Sequence, residues 1–312
     1  MRPRIFVIGS ANMDMIIRTE RIPKAGETVL GENFIQSSGG KGANQAIAAA
    51  RLGAEVAFVA RLGRDSFGKE AIKAYEKEGI NTKYIVWDEE APSGVALIMI
   101  NKEGEDIICV DPGANGKLSI EDILRAEEAI KSADCMLLQL EIPIKTVEYA
   151  IRLAKKYHVR VVLNPAPMTK LPESLLKMVD ILTPNETEAA TIMGDYVPFP
   201  GDLALMVKRK FSIKNVVVTM GKEGAAISSE LRPNSVVVRT FPVRSLDSTG
   251  AGDAFNGGLA VALARGDELE EAVRYANVVG ALATTRFGAQ CSLPTALEVG
   301  AFLNQIAEKI KG

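Results

Sequence analysis

Short apolar runs alternate along the chain with longer stretches in which apolar residues recur every three to four positions. The runs predict strands at Arg4–Ile8, Val56–Ala60, Cys135–Leu140, Val159–Leu163, Ile181–Leu182 and Val216–Thr219. The helical stretches fall at about Ala43–Leu52, Phe67–Glu78, Ile120–Ser132, Thr146–Tyr157, Thr187–Met193, Leu203–Phe211, Asp253–Arg265, Leu269–Thr285 and Thr295–Ile310, and glycines at 53 and 79 stop the first two. Ala225–Ser228 and Ser235–Thr240 read as an antiparallel pair. Repeated strand–helix units predict an α/β fold, a mostly parallel sheet with helices on both faces. Two pieces break the rhythm. Met13, Met15 and Ile17 alternate with Asp14, Ile16 and Arg18, and Gly94–Asn101 and Asp106–Val110 flank the turn KEGE. They predict a small β-sheet lid over residues 12–35 and 93–111, standing off an α/β domain of residues 1–11, 36–92 and 112–312.

With 312 residues, 47% of them apolar, the chain has room for one large α/β domain and a small appendage. A formal net charge of −2 argues against nucleic acid or an anionic membrane as partner, so an anionic ligand must be met by a local site. Cys109, Cys135 and Cys291 are scattered, as expected of buried free thiols in a reducing, cytoplasmic setting. The first residues are too short an apolar run for a signal peptide, and no stretch approaches the ~20 apolar residues of a membrane span. The only histidine, His158, excludes any mechanism that needs a histidine pair.

DSTGAGDAFNGGLA, Asp247–Ala260, carries the strongest chemical signal. Gly250 and Gly252 leave the first amides of a helix uncovered, where they can converge on an anion with the helix dipole behind them. Asp253 stands in that first turn. A carboxylate beside an anion hole makes sense where it takes a proton from a hydroxyl that attacks a phosphate.

GGKGANQ, Gly39–Gln45, is no P-loop, since Ile35 stands where the motif needs glycine and Gly42 where it needs Ser or Thr. It is a glycine turn bringing backbone, Lys41 and Asn44 to a small polar ligand, or a strand–helix turn with nothing bound. Asn12 and Asp14, two apart in an extended segment, can face one sugar or form an Asx turn. Glu141 follows a strand on the ligand-binding edge of a parallel sheet, unless it is a solvated loop residue. Asn185 and Glu188 form either a capping box or a water-ordering pair near magnesium. Gly221 and Gly224 permit close approach of phosphate or base, or only a hairpin turn.

GGKGANQAIAAARLGAEVAFVARLG and DSTGAGDAFNGGLA resemble the two signatures of the ribokinase-like (phosphofructokinase-B type) sugar kinase family. The order NMD, GGKGAN, Glu141, NETE, TMGKEG, DSTGAGD and TRFGAQCS extends the likeness over nearly the whole chain, and DPGAN and RFGAQ fit its ribose-specific branch. The resemblance implies a Rossmann-like ribokinase fold and ATP-dependent phosphorylation of D-ribose at O5, giving D-ribose 5-phosphate and ADP. It places Asn12, Asp14, Gly40, Lys41, Asn44, Glu141 and Asp253 at the sugar. Asn185, Thr219, Gly221, Gly224, Gly252 and Asn277 fall at ATP. Asp253 becomes the catalytic base, with Ala251 and Gly252 in the anion hole, and Glu188 orders water around Mg²⁺. Asp247, Thr249, Ala283, Arg286, Gly288 and Ser292 match the loops around an activating monovalent cation, usually K⁺. Arg286 and Ala283 would contribute carbonyls, since a guanidinium has no acceptor. A homodimer paired through its lids is also implied.

Kinases of deoxyribose, fructose or adenosine are the rivals within the family. Outside it, a non-catalytic sugar-binding module is disfavoured by the intact Asp253 and its glycines, and a nicotinamide dehydrogenase by the absence of GxGxxG after the first strand, which reads GSANMD.

Overall fold

A computed structural model describes residues 2–194 and 200–311. Its strands in chain order are β1 (Arg4–Ile8), β2 (Asn12–Thr19), β3 (Gly31–Gly39), β4 (Glu55–Val59), β5 (Arg61–Gly63), β6 (Val86–Asp88) and β7 (Gly94–Ile100), followed by β8 (Asp106–Asp111), β9 (Cys135–Leu138), β10 (Arg160–Leu163), β11 (Ile181–Leu182), β12 (Asn215–Thr219), β13 (Ala225–Ser228) and β14 (Val236–Val238). An eight-stranded sheet runs in the order β14-β13-β12-β11-β10-β9-β1-β4. It is parallel from β12 to β4, and β13 and β14 pair antiparallel.

The central strands read as unbroken apolar runs because both faces are covered. Ile5 and Val7 of β1 and Cys135 and Leu137 of β9 enter one core. Phe6, Ile8, Met136 and Leu138 enter the other, as the two-residue period of a strand requires. Two helices on the first face, Lys41–Arg51 and Ala251–Arg265, are built of small residues where they meet. A Cβ on Gly257 would lie 2.5 Å from the Ala48 Cβ, so their backbones approach more closely than larger side chains allow.

The second sheet has four strands in the order β3-β2-β7-β8. Its register sets Asn12 opposite Gly39 and Gly94, and Asp14 opposite Ser37 and Ala96. β3 runs to Gly39, past the expected limit at residue 35, so one continuous strand leads from the small sheet into the glycine turn.

Three expectations change. The helix expected at Ile120–Ser132 is two short ones, Ile120–Leu124 and Glu127–Lys131, because Ser119 and Asp122 form a capping box on the first and Ala126 begins the second. The two-stranded sheet of β5 and β6 was not expected; three residues are too few to show a period. The cysteines are free, but only Cys135 is buried. Among the described residues, no helix is long and apolar enough to cross a membrane.

Candidate active site

The parallel strands all end on one edge of the sheet, and the chemistry collects there. β1 runs into Gly9-Ser10-Ala11-Asn12, β9 into Gln139 and Glu141, β10 into Asn164, β11 into Thr183 and Asn185, and β12 ends at Thr219. A cavity of about 220 Å³ opens between these ends and the helix Ala251–Arg265, lined by Lys41, Asn185, Glu188, Thr219, Gly252 and Asp253 among others.

Gly40 shows how the glycine turn is built. Its φ is +88°, and a Cβ there would stand 2.7 Å from the Asn12 amide nitrogen, so only glycine lets the turn close on the end of β1. Lys41 then begins a helix whose next turn carries Asn44 and Gln45 towards Asp253. Asn44 Nδ2 donates to Asp253 Oδ2 (2.8 Å) and Gln45 Nε2 to Oδ1 (3.0 Å). Asn44 Oδ1 is buried and has no partner among the described residues, an acceptor left for a ligand.

Asp253 is 6% exposed and Asp14 is 9% exposed. Burial pushes the Asp253 carboxyl upward, opposed by Lys41 and by the bonds from Asn44 and Gln45. Burial, with the charges of Glu141 and Asp253, raises Asp14 to about 7. Burial alone would lower Lys41, but Asp253, Glu141, Glu188 and Asp14 surround it and hold it above the ordinary lysine value.

Each remaining residue expected at the sugar has a support. Asn115 Nδ2 donates to Asn12 Oδ1 (2.7 Å) and is itself fixed to both backbone groups of Ala11, which occupies the Asn12 side-chain oxygen as an acceptor. Glu141 accepts from the Lys41 amide (3.0 Å) and from the Ser10 hydroxyl at the N-terminus of the helix Lys41–Arg51.

At the start of Ala251–Arg265, Gly250 takes the left-handed conformation and a Cβ on Gly252 would meet nothing, so space stands open beside the first amides. The Ala251 amide bonds the Ser248 carbonyl (3.1 Å). Among the described residues, the amides of Gly252 and Asp253 have no hydrogen-bond acceptor, so both stand open to an anion.

On the opposite side, Asn185 and Glu188 form a reciprocal capping box, with Asn185 bridged to Thr219. Glu188 still lines the cavity, and burial pushes its carboxyl up. Gly224 is explained by packing, since a Cβ there would lie 2.2 Å from the Val238 carbonyl, whereas Gly221 is exposed. Asn277 donates to that same carbonyl (2.8 Å) from behind β14.

The two loops expected around a cation meet. Asp247 accepts from the Thr249 amide and hydroxyl through one oxygen and from the Gly288 amide (2.9 Å) through the other. Burial would raise Asp247, yet these bonds hold it below the usual carboxylate value. Ser292 is buried beside Ala289, Ala283 ends the helix Leu269–Ala283, and the Arg286 side chain turns away to Glu298. Among the described residues, no three of His, Cys, Asp and Glu cluster to hold a metal.

Several supporting residues escaped the motif reading: Ser10, Gln45, Asn115, Gln139, Asn164, Thr183 and Asn256. Gln139, Asn164 and Thr183 share one signal, a polar residue directly after a strand whose last residues are buried. A wider cleft of about 730 Å³ opens by the other ends of the strands, but its lysines 155 and 214 already pair with Asp180.

A buried carboxylate, a lysine and two open amides at a helix N-terminus are the groups that phosphoryl transfer to an alcohol calls for. The chain belongs to the pfkB family of carbohydrate kinases, whose family model matches residues 2–296. It is 42% identical over 305 residues to a ribokinase of Haemophilus influenzae, covering 97% of this chain and 99% of that one. A ribokinase of Bacillus subtilis is 39% identical over 300 residues, with 96% and 99% covered. The solved structure of Arabidopsis thaliana ribokinase complexed with ribose and ATP superposes with a TM-score of 0.88 at 33% identity, covering 97% of this chain and 99% of that one.

Proposed function

We propose that the protein transfers the γ-phosphoryl group of ATP to O5 of D-ribose, giving D-ribose 5-phosphate and ADP. The observation that carries this reading is Asp253, buried in the first turn of a helix whose open amides face the same cavity as Lys41. Ribose lies between the small sheet and the helix Lys41–Arg51, its hydroxyls paired with Asn12, Asp14, the Gly40–Lys41 turn, Asn44 and Glu141. The orphaned Asn44 Oδ1 fits a hydroxyl donor. The small sheet acts as a lid that keeps water from the sugar.

Asp253 accepts the O5 proton as the O5–phosphorus bond forms and the bond to ADP breaks. An ordinary aspartate is too weak to make an alkoxide beforehand, which suits a loose transition state in which the proton leaves late. The Gly252 and Asp253 amides take up charge on the phosphoryl oxygens, and Lys41 steadies it from the opposite side. Asn185, Thr219 and Gly221 seat the nucleotide, with Asn277 on the adenine side.

Mg²⁺, when bound, would neutralise charge on the nucleotide phosphates, and Glu188, which lines the cavity, would hold it through water. The hard oxygens of Asp247, Thr249 and Ser292, with the carbonyls of Ala283, Arg286 and Gly288, would hold K⁺, which would steady the loop ahead of the helix Ala251–Arg265. The cytoplasm is the expected setting, and two copies pair through their lids.

ADP release measured over ribose, deoxyribose, fructose and adenosine, in K⁺ and in tetramethylammonium, tests the reading. Ribose is expected to give the highest kcat/KM and K⁺ to raise it. Equal rates in both cations remove the K⁺ site, and a different preferred acceptor removes ribose.

A further inference from the structure

Asp253 is held from beneath by a run of buried side-chain amides. Gln45 and Gln139 are both 0% exposed. A carboxylate can only accept, so Gln45 must turn its Nε2 to Asp253 Oδ1 (3.0 Å), and the same nitrogen reaches Asn164 Oδ1 (3.3 Å). Gln45 Oε1 is therefore left as an acceptor, and Gln139 Nε2 fills it at 2.6 Å. The direction of every bond in this run follows from the carboxylate at its end.

The run continues under the anion hole. Asn164 Nδ2 donates to the Thr183 carbonyl (3.0 Å) and the Thr183 hydroxyl to Asn256 Oδ1 (2.6 Å). Asn256 Nδ2 donates to the Gly252 carbonyl (2.8 Å). That carbonyl belongs to the peptide whose N–H is the open Asp253 amide, so one network touches both the carboxylate and the hole.

We propose that Gln45, backed by Gln139, is a positioning residue that fixes Asp253 Oδ1 and leaves Oδ2 as the oxygen that meets the acceptor hydroxyl. The inference rests on Asp253 being the base. Asn44 also bonds Oδ2, but its unpartnered Oδ1 leaves it placed for the sugar in the proposed function, whereas Gln45 is fully buried and both its amide atoms are engaged within the protein. The charged groups facing Asp253 are Lys41 from the helix start, Glu141 after β9, Asp14 from β2 and Glu188 across the cavity. Removing the Gln45 donor leaves these in place and takes away one bond that favours the ionised form.

The test uses Gln45→Met and Gln139→Met, which keep length and remove the donor, in the full-length protein. Gln45→Met is expected to lower kcat at least ~10-fold while ribose KM stays within about threefold. The acidic limb of its kcat–pH profile is expected to move up by about one pH unit. Gln139→Met, which does not touch Asp253, is expected to move the same limb in the same direction by less. A folded Gln45→Met with an unmoved limb, or with its loss confined to KM, overturns the proposal. Should Gln45→Met not fold, an unmoved limb in Gln139→Met does so. Asp253→Asn separates the two readings. If it retains turnover, the base assignment fails; if it is inactive while both glutamine variants keep the wild-type profile, only the positioning role fails.

Discussion

Asp14 is held in β2 at a cost to the free protein. Its carboxyl is raised from 3.8 to about 7 by burial and by the facing charges of Glu141 and Asp253. Across that window the folded chain binds more protons than the unfolded one, so stability falls as pH rises through it. Asp14→Asn is therefore expected to match the wild type in stability near pH 4 and to exceed it at pH 8, by ~1–4 kcal/mol, while ribose binding is lost. Urea unfolding at the two pH values, without ligand, checks this; an equal difference at both contradicts it. The residues proposed to touch ligand were legible because motif and spacing mark them. Those that hold them in place were less so. Gln45 lies inside a recognised motif, yet nothing in GGKGANQ tells that Asn44 and Gln45 divide the two oxygens of one carboxylate. Asn115 lies in DPGAN, but its bond to Asn12 depends on a contact across more than a hundred residues.

The arrangement of whole elements explains why those distant side chains meet. The helices Lys41–Arg51 and Ala251–Arg265 pack alanine against glycine, and this close approach carries Asn44 and Gln45 to Asp253. Gly257→Ala puts a methyl 2.5 Å from the Ala48 Cβ and 3.1 Å from the Ala49 backbone nitrogen, neither of which can swing away. It is expected to destabilise the protein by ~1–3 kcal/mol and to lower kcat roughly tenfold, by parting the helices. Chemical unfolding and steady-state kinetics read the two effects, and wild-type values of both contradict the packing argument. The strands of the main sheet were legible because burial on both faces makes apolar runs, and the long helices because their period persists. The break at Arg125-Ala126 was hidden, since the apolar period continues through both short helices.

At the scale of the molecule, the small sheet exposes an unusual amount of apolar surface. Ile16, Ile35, Ile98 and Ile108 stand in one row across it by register, on the face that carries Asp14. Ile35 is 50% and Ile108 is 54% exposed in the single chain. Apolar surface of this kind marks an association site. Pairing of two lids through this face predicts a dimer in sedimentation, and Ile108→Asp is expected to give the monomer and to raise ribose KM. A monomeric wild type at micromolar concentration contradicts the pairing.

Asp14 of the small sheet, the Lys41–Gln45 turn, Glu141 and Glu188 all face one carboxylate, Asp253, on which the proposed chemistry turns. Asp253→Asn keeps the size of the side chain and removes its ability to take a proton. Turnover with ribose and ATP, measured alongside ribose binding by calorimetry in the same variant, is the most direct measurement. Retained binding with at least ~100-fold lower kcat is expected. Near-normal kcat would contradict the assignment of the base.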